Sequence, residues 1–361
     1  MSRKYKSSLN FGYVHRKKKS KLKFTIIILL IIMGILGIII FKNGGFENTK
    51  GLILKENSKP KKENKENSVK KSEEKVEVKE IVENEFVLER DYKPLKKDLE
   101  KYLKKQNGVW GIYFYNINGK EDFGIKENDE FQAASTIKIP INLLLYEKVA
   151  EGKEKLETKV LYEIGDKEGG TGRVQYSPIG KKYTLRKLSK LALIESDNTA
   201  INMISKHLGR AKVYKQFMKD KGAKWVDLKR NVTSPKDLGI FLNAIYQFDK
   251  DNPKLGKEIL SDMKKSVPTD RIQKLLPKEI EVAHKVGNYY ESYHDVGIIF
   301  ARDPYILCIM SKDAKGIEEN FDIIAEISKK VYDYAIELEK LDDIEKEKKD
   351  IEDKKKNKKI N

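Results

Sequence analysis

A single cysteine, Cys308, in 361 residues excludes an intramolecular disulfide and any structural zinc site built on paired thiolates. The fold must therefore stand on its own apolar core. Histidine is nearly as scarce. His15, His207, His284 and His294 are the only four, and none has the His-x-x-x-His spacing that sets two imidazoles on one helix face. No metal and no cofactor are expected from such a set. A phosphate-cradling loop is missing as well, since Gly169-Gly170-Thr171-Gly172 is not followed by Lys-Ser/Thr and reads as a loop in a helical lobe. Cys308 itself lies in Tyr-Ile-Leu-Cys-Ile-Met, the pattern of a buried strand.

Charge, by contrast, is abundant. Lys and Arg number 74 against 56 Asp and Glu, a net +18 that invites a polyanion-binding reading until its distribution is examined. Half of it lies in residues 1–23, where nine basic residues stand without one acid. Residues 24–41 follow as 18 uncharged, mostly branched apolar positions, close to the shortest helix that spans a bilayer. No small-x-small cleavage pattern and no lipobox cysteine follows, so a retained membrane helix is expected rather than a cleaved leader. The basic excess before it puts the amino terminus in the cytoplasm and everything after it outside the cell membrane. No nucleic-acid partner is expected; the charge sets topology.

Residues 42–90 form a stem, because 19 of the 35 positions from Glu56 to Arg90 are charged and cannot bury enough apolar surface to offset ordering entropy. The tail 339–361, with 17 charged residues of 23, reads as a solvated extension of the closing helix that frays into a basic tail. Between them, residues 91–338 carry regular apolar periods. Val109 to Tyr115 predicts a strand, Asn116 to Gly119 a turn with Gly left-handed, and Glu121 to Phe123 the returning strand. Helices are predicted over Ile137 to Val149, Leu185 to Ile194, Ala200 to Leu208 and Lys236 to Phe248. Strands return at Val282 to Val286, Asp295 to Ala301 and Tyr305 to Met310, before a closing helix from Ile317 to Leu338. This order predicts an α+β domain: one antiparallel sheet built from both ends of the domain, with an inserted helical lobe. Trp110 and Trp225 read as core, and Tyr289, Tyr290 and Tyr293 as a rim near the third motif described below.

Three short motifs carry chemistry. Ser135-Thr-Ile-Lys138 places a hydroxyl and an amine one helical turn apart. Serines 20, 58, 68, 72 and 261 also have a lysine three positions on, but only Ser135 opens a long apolar helix, where burial lowers a lysine's pKa and free amides face a developing oxyanion. Ser196-Asp197-Asn198 occurs once, at a helix start, where an N-cap is the simpler role. Lys285-Val286-Gly287 offers a cation beside a residue that lets a ligand approach a strand; Lys-x-Gly recurs at Lys42 and Lys254, and a basic edge strand is often only a solubility device.

In this order the three motifs resemble those of the penicillin-recognising serine enzymes. The surrounding Phe131-Gln-Ala-Ala-Ser-Thr-Ile-Lys-Ile-Pro140, Ser196-Asp-Asn-Thr-Ala-Ile-Asn202 and His294-Asp-Val-Gly-Ile298 are similar to class A β-lactamases over roughly residues 105–335. The resemblance implies the following roles. Ser135 is the acylated nucleophile, Lys138 takes its proton, and Ser196 relays a proton to the leaving nitrogen. Asn198 binds the substrate's side-chain amide, Lys285 attracts its carboxylate, and Gly287 admits it; the oxyanion hole is the amides of Ser135 and Asn288. The implied substrates are β-lactams or D-alanyl peptides of peptidoglycan, which makes the domain a ring-opening amidohydrolase or a related carboxypeptidase.

Two departures temper the resemblance. Class A enzymes deacylate with a glutamate on a loop between the second and third motifs, and no Glu occurs from Thr199 to Lys257. Asp227 is the nearest acid in sequence terms, though it reads more simply as a turn residue. Val286 replaces a hydroxyl residue and removes one donor to a carboxylate. A penicillin-binding or sensing ectodomain with little turnover is therefore the competing expectation.

Overall fold

The computed structural model describes residues 90–360. The basic segment 1–23, the apolar stretch 24–41 and the stem up to Glu89 lie outside the described residues. Among the described residues no helix is long and apolar enough to cross a membrane.

Helix α1 (Lys93–Leu103), with Pro94 in its first turn, buries Leu95 and Leu99. Strands β1 (Val109–Asn116) and β2 (Asp122–Ile125) form a hairpin with Phe114 opposite Phe123. The left-handed residue in its turn is Lys120 at φ 65°, not Gly119. The side-chain oxygen of Asn116 accepts from the amides of Asn118 and Gly119, so the reversal falls one residue later than expected. Strand β3 (Phe131–Gln132) leads through a 3₁₀ turn (Ala134–Ile137) into α2 (Lys138–Ala150).

The lobe continues with the ribbon β4 (Lys159–Leu161) and β5 (Lys182–Thr184), then α3 (Leu185–Ile194), α4 (Asn198–His207) and α5 (Arg210–Asp220). Thr184 caps α3 by accepting from the Lys187 amide. Strand β6 (Val232–Thr233) pairs with β3, and α6 (Pro235–Asp251), capped by Ser234, and α7 (Pro253–Lys264) close the lobe. Helices α1, α5 and α7 are additional to the predicted ones: dense lysine lowers their overall hydropathy, although Leu95 and Leu99 on α1 and Ile259, Leu260 and Met263 on α7 form buried faces.

Strands β7 (Glu281–Tyr289), β8 (Ser292–Phe300) and β9 (Tyr305–Lys312) complete a five-stranded antiparallel sheet in the order β2-β1-β9-β8-β7. The expected α+β architecture stands, with strands from both ends and helices between. Period-two alternation divides β1, β7, β8 and β9 between two cores, while β2 adds Phe123 and Ile125 to one of them. On β9, Ile306, Cys308 and Met310 face the helical lobe with Leu143 and Phe241, whereas Leu307 and Ile309 face Leu99 and Ile324 on the opposite side. Each such side chain, fully buried, contributes about 1.5–3 kcal/mol. Cys308 is buried, and burial raises its thiol pKa well above the usual value.

Helix α8 (Glu318–Ile360) runs unbroken through the boundary drawn at residue 338. The charged residues just past it are structural partners: Glu339 is buried and accepts from the Asp303 amide, Asp342 pairs with Arg90, and Asp343 pairs with Arg302. Two aromatic expectations need correction. Trp225 is half-buried rather than core, because its indole N–H reaches out to the Asn128 carbonyl at 2.8 Å. Tyr293 is buried edge-on against Phe321, so only Tyr289 and Tyr290 are exposed.

Candidate active site

Lys138 begins α2 one turn after Ser135, and the 3₁₀ turn between them puts both side chains on one face. The lysine is 2% exposed, and its Nζ lies 2.7 Å from Ser135 Oγ, 3.2 Å from Ser196 Oγ and 2.7 Å from Asn198 Oδ1. Three contacts saturate an amine or an ammonium alike. Burial pushes the Lys138 pKa down to about 8, against a smaller upward pull from Asp197.

The Ser-Asp-Asn turn is held from both sides. Asp197 is fully buried and caps α4 by accepting from the Ala200 amide at 2.9 Å. Its other oxygen accepts from the amides of Arg173 and Val174 at 2.7 and 2.8 Å. Three backbone donors thus stabilise a buried carboxylate to which no cation is bonded. Gly172, at φ 95°, permits the approach, since a Cβ there would lie 2.2 Å from Asp197 Cγ. Thr171 Oγ1 donates to the Ser196 carbonyl at 2.6 Å, and Asn198 Nδ2 donates to the Gly169 carbonyl at 2.8 Å. That second bond fixes the amide so that Asn198 Oδ1 faces Lys138. The sequence marks Gly169 to Gly172 as a loop of the helical lobe, but not its grip on the Ser-Asp-Asn turn; the uninterrupted Gly-Gly-Thr-Gly and the central Asp of the motif were the available signals.

Strand β7 closes the site. Lys285 is fully buried, with Nζ donating to the Val286 carbonyl at 3.2 Å. Burial, then the like charge of Lys138, lowers its pKa to about 7; Asp295 pulls the other way. A Cβ on Gly287 would stand 3.2 Å from Thr136 Cγ2 and 3.3 Å from the Ala133 carbonyl, so this glycine sets how closely β7 meets the 3₁₀ turn. Asn288 follows at the exposed end of the strand. Ser135, Lys138, Ser196, Asn198, Lys285 and Gly287 are thus brought together, with Asn288 at the edge.

His294 and His284 lie beneath. The ring of His294 is fully buried: Nδ1 accepts from the Ser311 amide, so the proton is on Nε2, which donates to the Gln132 carbonyl at 2.7 Å. Burial lowers its pKa to about 4. His284 is a buried strand residue whose Nδ1 meets Asp295 Oδ1 at 2.9 Å. Asp227 is committed to its own turn, accepting from the amides of Lys229 and Arg230 and from Arg230 Nε. The Arg230 side chain, with those amides, lowers its pKa to about 2. Among the described residues no group of three or more His, Cys, Asp or Glu is arranged to hold a metal ion.

Comparison with known proteins gives the family. The profile of the β-lactamase enzyme family matches residues 94–335, and the chain belongs to that family, within its class A β-lactamase-like serine hydrolases. A β-lactamase of Bacillus licheniformis is 27% identical over 263 residues, covering 66% of this chain and 82% of the relative. Beta-lactamase 3 of Bacillus cereus is 26% identical over 255 residues, covering 63% and 78%. Among solved structures, PBP-A is 27% identical with a TM-score of 0.64, covering 69% of this chain and 98% of its own. A point mutant of PBP-A, solved as an acyl-enzyme complex with penicillin G, is 26% identical at the same TM-score and coverage. An ancestral class A β-lactamase, at 20% identity and a TM-score of 0.61, shares the fold.

Proposed function

We propose that this chain is an acyl-transfer enzyme whose nucleophile is Ser135 and whose substrates are β-lactams or D-alanyl peptides. The observation that carries the reading is the position of Lys138 Nζ within hydrogen-bonding distance of Ser135 Oγ, Ser196 Oγ and Asn198 Oδ1, with no carboxylate bonded to it. At a pKa of about 8, roughly one molecule in ten carries the neutral amine at pH 7. That amine takes the Ser135 proton as Oγ bonds to the carbonyl carbon, and the C=O electron pair moves onto oxygen. The amides of Ser135 and Asn288 receive the oxyanion. As the C–N bond breaks, Ser196 gives its proton to the leaving nitrogen and regains one from Lys138. Lys285 draws in the substrate carboxylate, and the second hydrogen of Asn198 Nδ2 is left for a substrate carbonyl.

Hydrolysis of the acyl-enzyme is slow in this reading. Asp227 is bound within its own turn, and Asp237 accepts the amides of Lys224 and Trp225. Neither is available as a base for water. The protein then behaves as a penicillin-binding protein or sensor rather than a fast β-lactamase, displayed outside the cell on a membrane helix at residues 24–41. Intact-mass kinetics with penicillin G test this: the expected result is an adduct on Ser135 that persists for minutes to hours. No adduct, or equal labelling of Ser135→Ala, would refute the proposal.

A further inference from the structure

Ala134, the residue before the nucleophile, has φ 48°, a left-handed conformation that a side chain with a Cβ adopts only under constraint. The constraint comes from Asn231, whose Nδ2 donates to the Ala134 carbonyl at 3.1 Å and whose own carbonyl accepts from the Ala133 amide at 2.7 Å. Asn231 ends a segment anchored at several points, to α6 and to the approach to β3. The amides of Lys224 and Trp225 bind Asp237, the Trp225 indole binds the Asn128 carbonyl, and Arg230 pairs with both Asp227 and Glu130. The pairing of β3 with β6 continues the hold through Gln132 and Val232.

The Ala134 carbonyl and the Ser135 N–H belong to one planar trans peptide and point in opposite directions. Whatever fixes the carbonyl aims the amide. We propose that Asn231 is a positioning residue that orients the Ser135 N–H as an oxyanion donor, and that segment 224–231 is a brace for the nucleophile's turn. This rests on the reading of Ser135 as the acylated residue.

The test uses the whole chain, with the wild type, Asn231→Asp, Asn231→Ala, Ala134→Gly and the Asn231→Ala/Ala134→Gly double variant. Acylation by penicillin G is followed by intact mass across concentrations, and each protein is also melted. A donor that acts only on the oxyanion changes the maximal rate and not the binding. Both Asn231 variants should therefore lose tenfold or more in maximal acylation rate, with the half-saturating concentration within twofold of wild type. Asn231→Asp tests this most sharply, because it keeps the shape and loses the donor. Glycine adopts positive φ without strain, so Ala134→Gly should return part of the lost rate in the double variant. Wild-type maximal rates in both Asn231 variants would overturn the inference. If wild type itself takes no label, the proposed function fails, and the melting temperatures decide the brace alone: non-additive shifts at 134 and 231 support it, and additive shifts overturn it.

Discussion

Arg90 and Asp342, 252 residues apart in the chain, are joined by two hydrogen bonds of 2.8 and 2.6 Å from the guanidinium to one carboxylate oxygen. Arg90 also pairs with Asp303. Burial is the largest single influence on its pKa and lowers it, but the two acids together outweigh burial and raise it. The segment just ahead of α1 is thereby fastened to the long helix α8.

Replacing Arg90 by Ala strands two half-buried carboxylates. Charge-assisted bonds of this kind contribute about 1.5–3 kcal/mol, so thermal denaturation should show a melting point several degrees lower. Truncation after Leu338 should have a similar effect, because it removes Glu339, Asp342 and Asp343 together. Labelling of Ser135 should be unchanged at low temperature in both.

Lys138→Met should leave the fold intact and slow acylation by about 10²- to 10⁴-fold, the usual contribution of a positioned base. Intact-mass kinetics with penicillin G measure it directly. A loss below fivefold would mean that another group takes the Ser135 proton.

The two buried lysines give acylation a pH signature. Lys138 must be neutral to act, so rates should fall as pH drops below about 8. Lys285 must be charged to hold a carboxylate, so affinity should fall as pH rises above about 7. The second-order acylation rate should peak between these values for penicillins, and the alkaline limb should disappear for a substrate esterified at its carboxylate. For stability the sign is opposite to that of an ordinary surface lysine. A depressed folded pKa means the unfolded chain binds more protons between pH 7 and 10.5, so Lys285 favours the fold increasingly as pH rises through that window.

Gly287→Ala should impair the site more than the fold. The added methyl meets the Ala133 carbonyl, Thr136 and His294 at 3.2–3.3 Å and needs a few tenths of an ångström of room. A shift of that size between β7 and the 3₁₀ turn should cost tenfold or more in acylation rate. Melting and labelling of the same preparation separate the two effects.

The three motifs were legible in the sequence because each uses residues close in the chain, at spacings that a turn or strand fixes. Leu185–Ile194 was legible to the residue, since a Thr cap and a clean apolar stripe agree there. What the motifs could not reveal is the support behind them. Thr171 and Gly172 reach Ser196 and Asp197 across 25 positions, and Asn231 reaches Ala134 across 97. Such contacts depend on how the lobe closes, and no local pattern encodes them. The charged stretch after residue 338 was legible as a solvated helix extension, but composition could not show the one face, at Glu339, Asp342 and Asp343, that tertiary ion pairs hold.

Cys308 lies buried in the middle strand of the sheet, where burial raises its thiol pKa well above the usual value and disfavours the reactive thiolate. Any second cysteine placed on the surface therefore becomes the protein's sole reactive thiol. Tyr290→Cys, at an exposed position three residues past Gly287, could carry a fluorophore without prior removal of the native thiol. The natural sequence is in this respect already prepared for optical readout of substrate arrival.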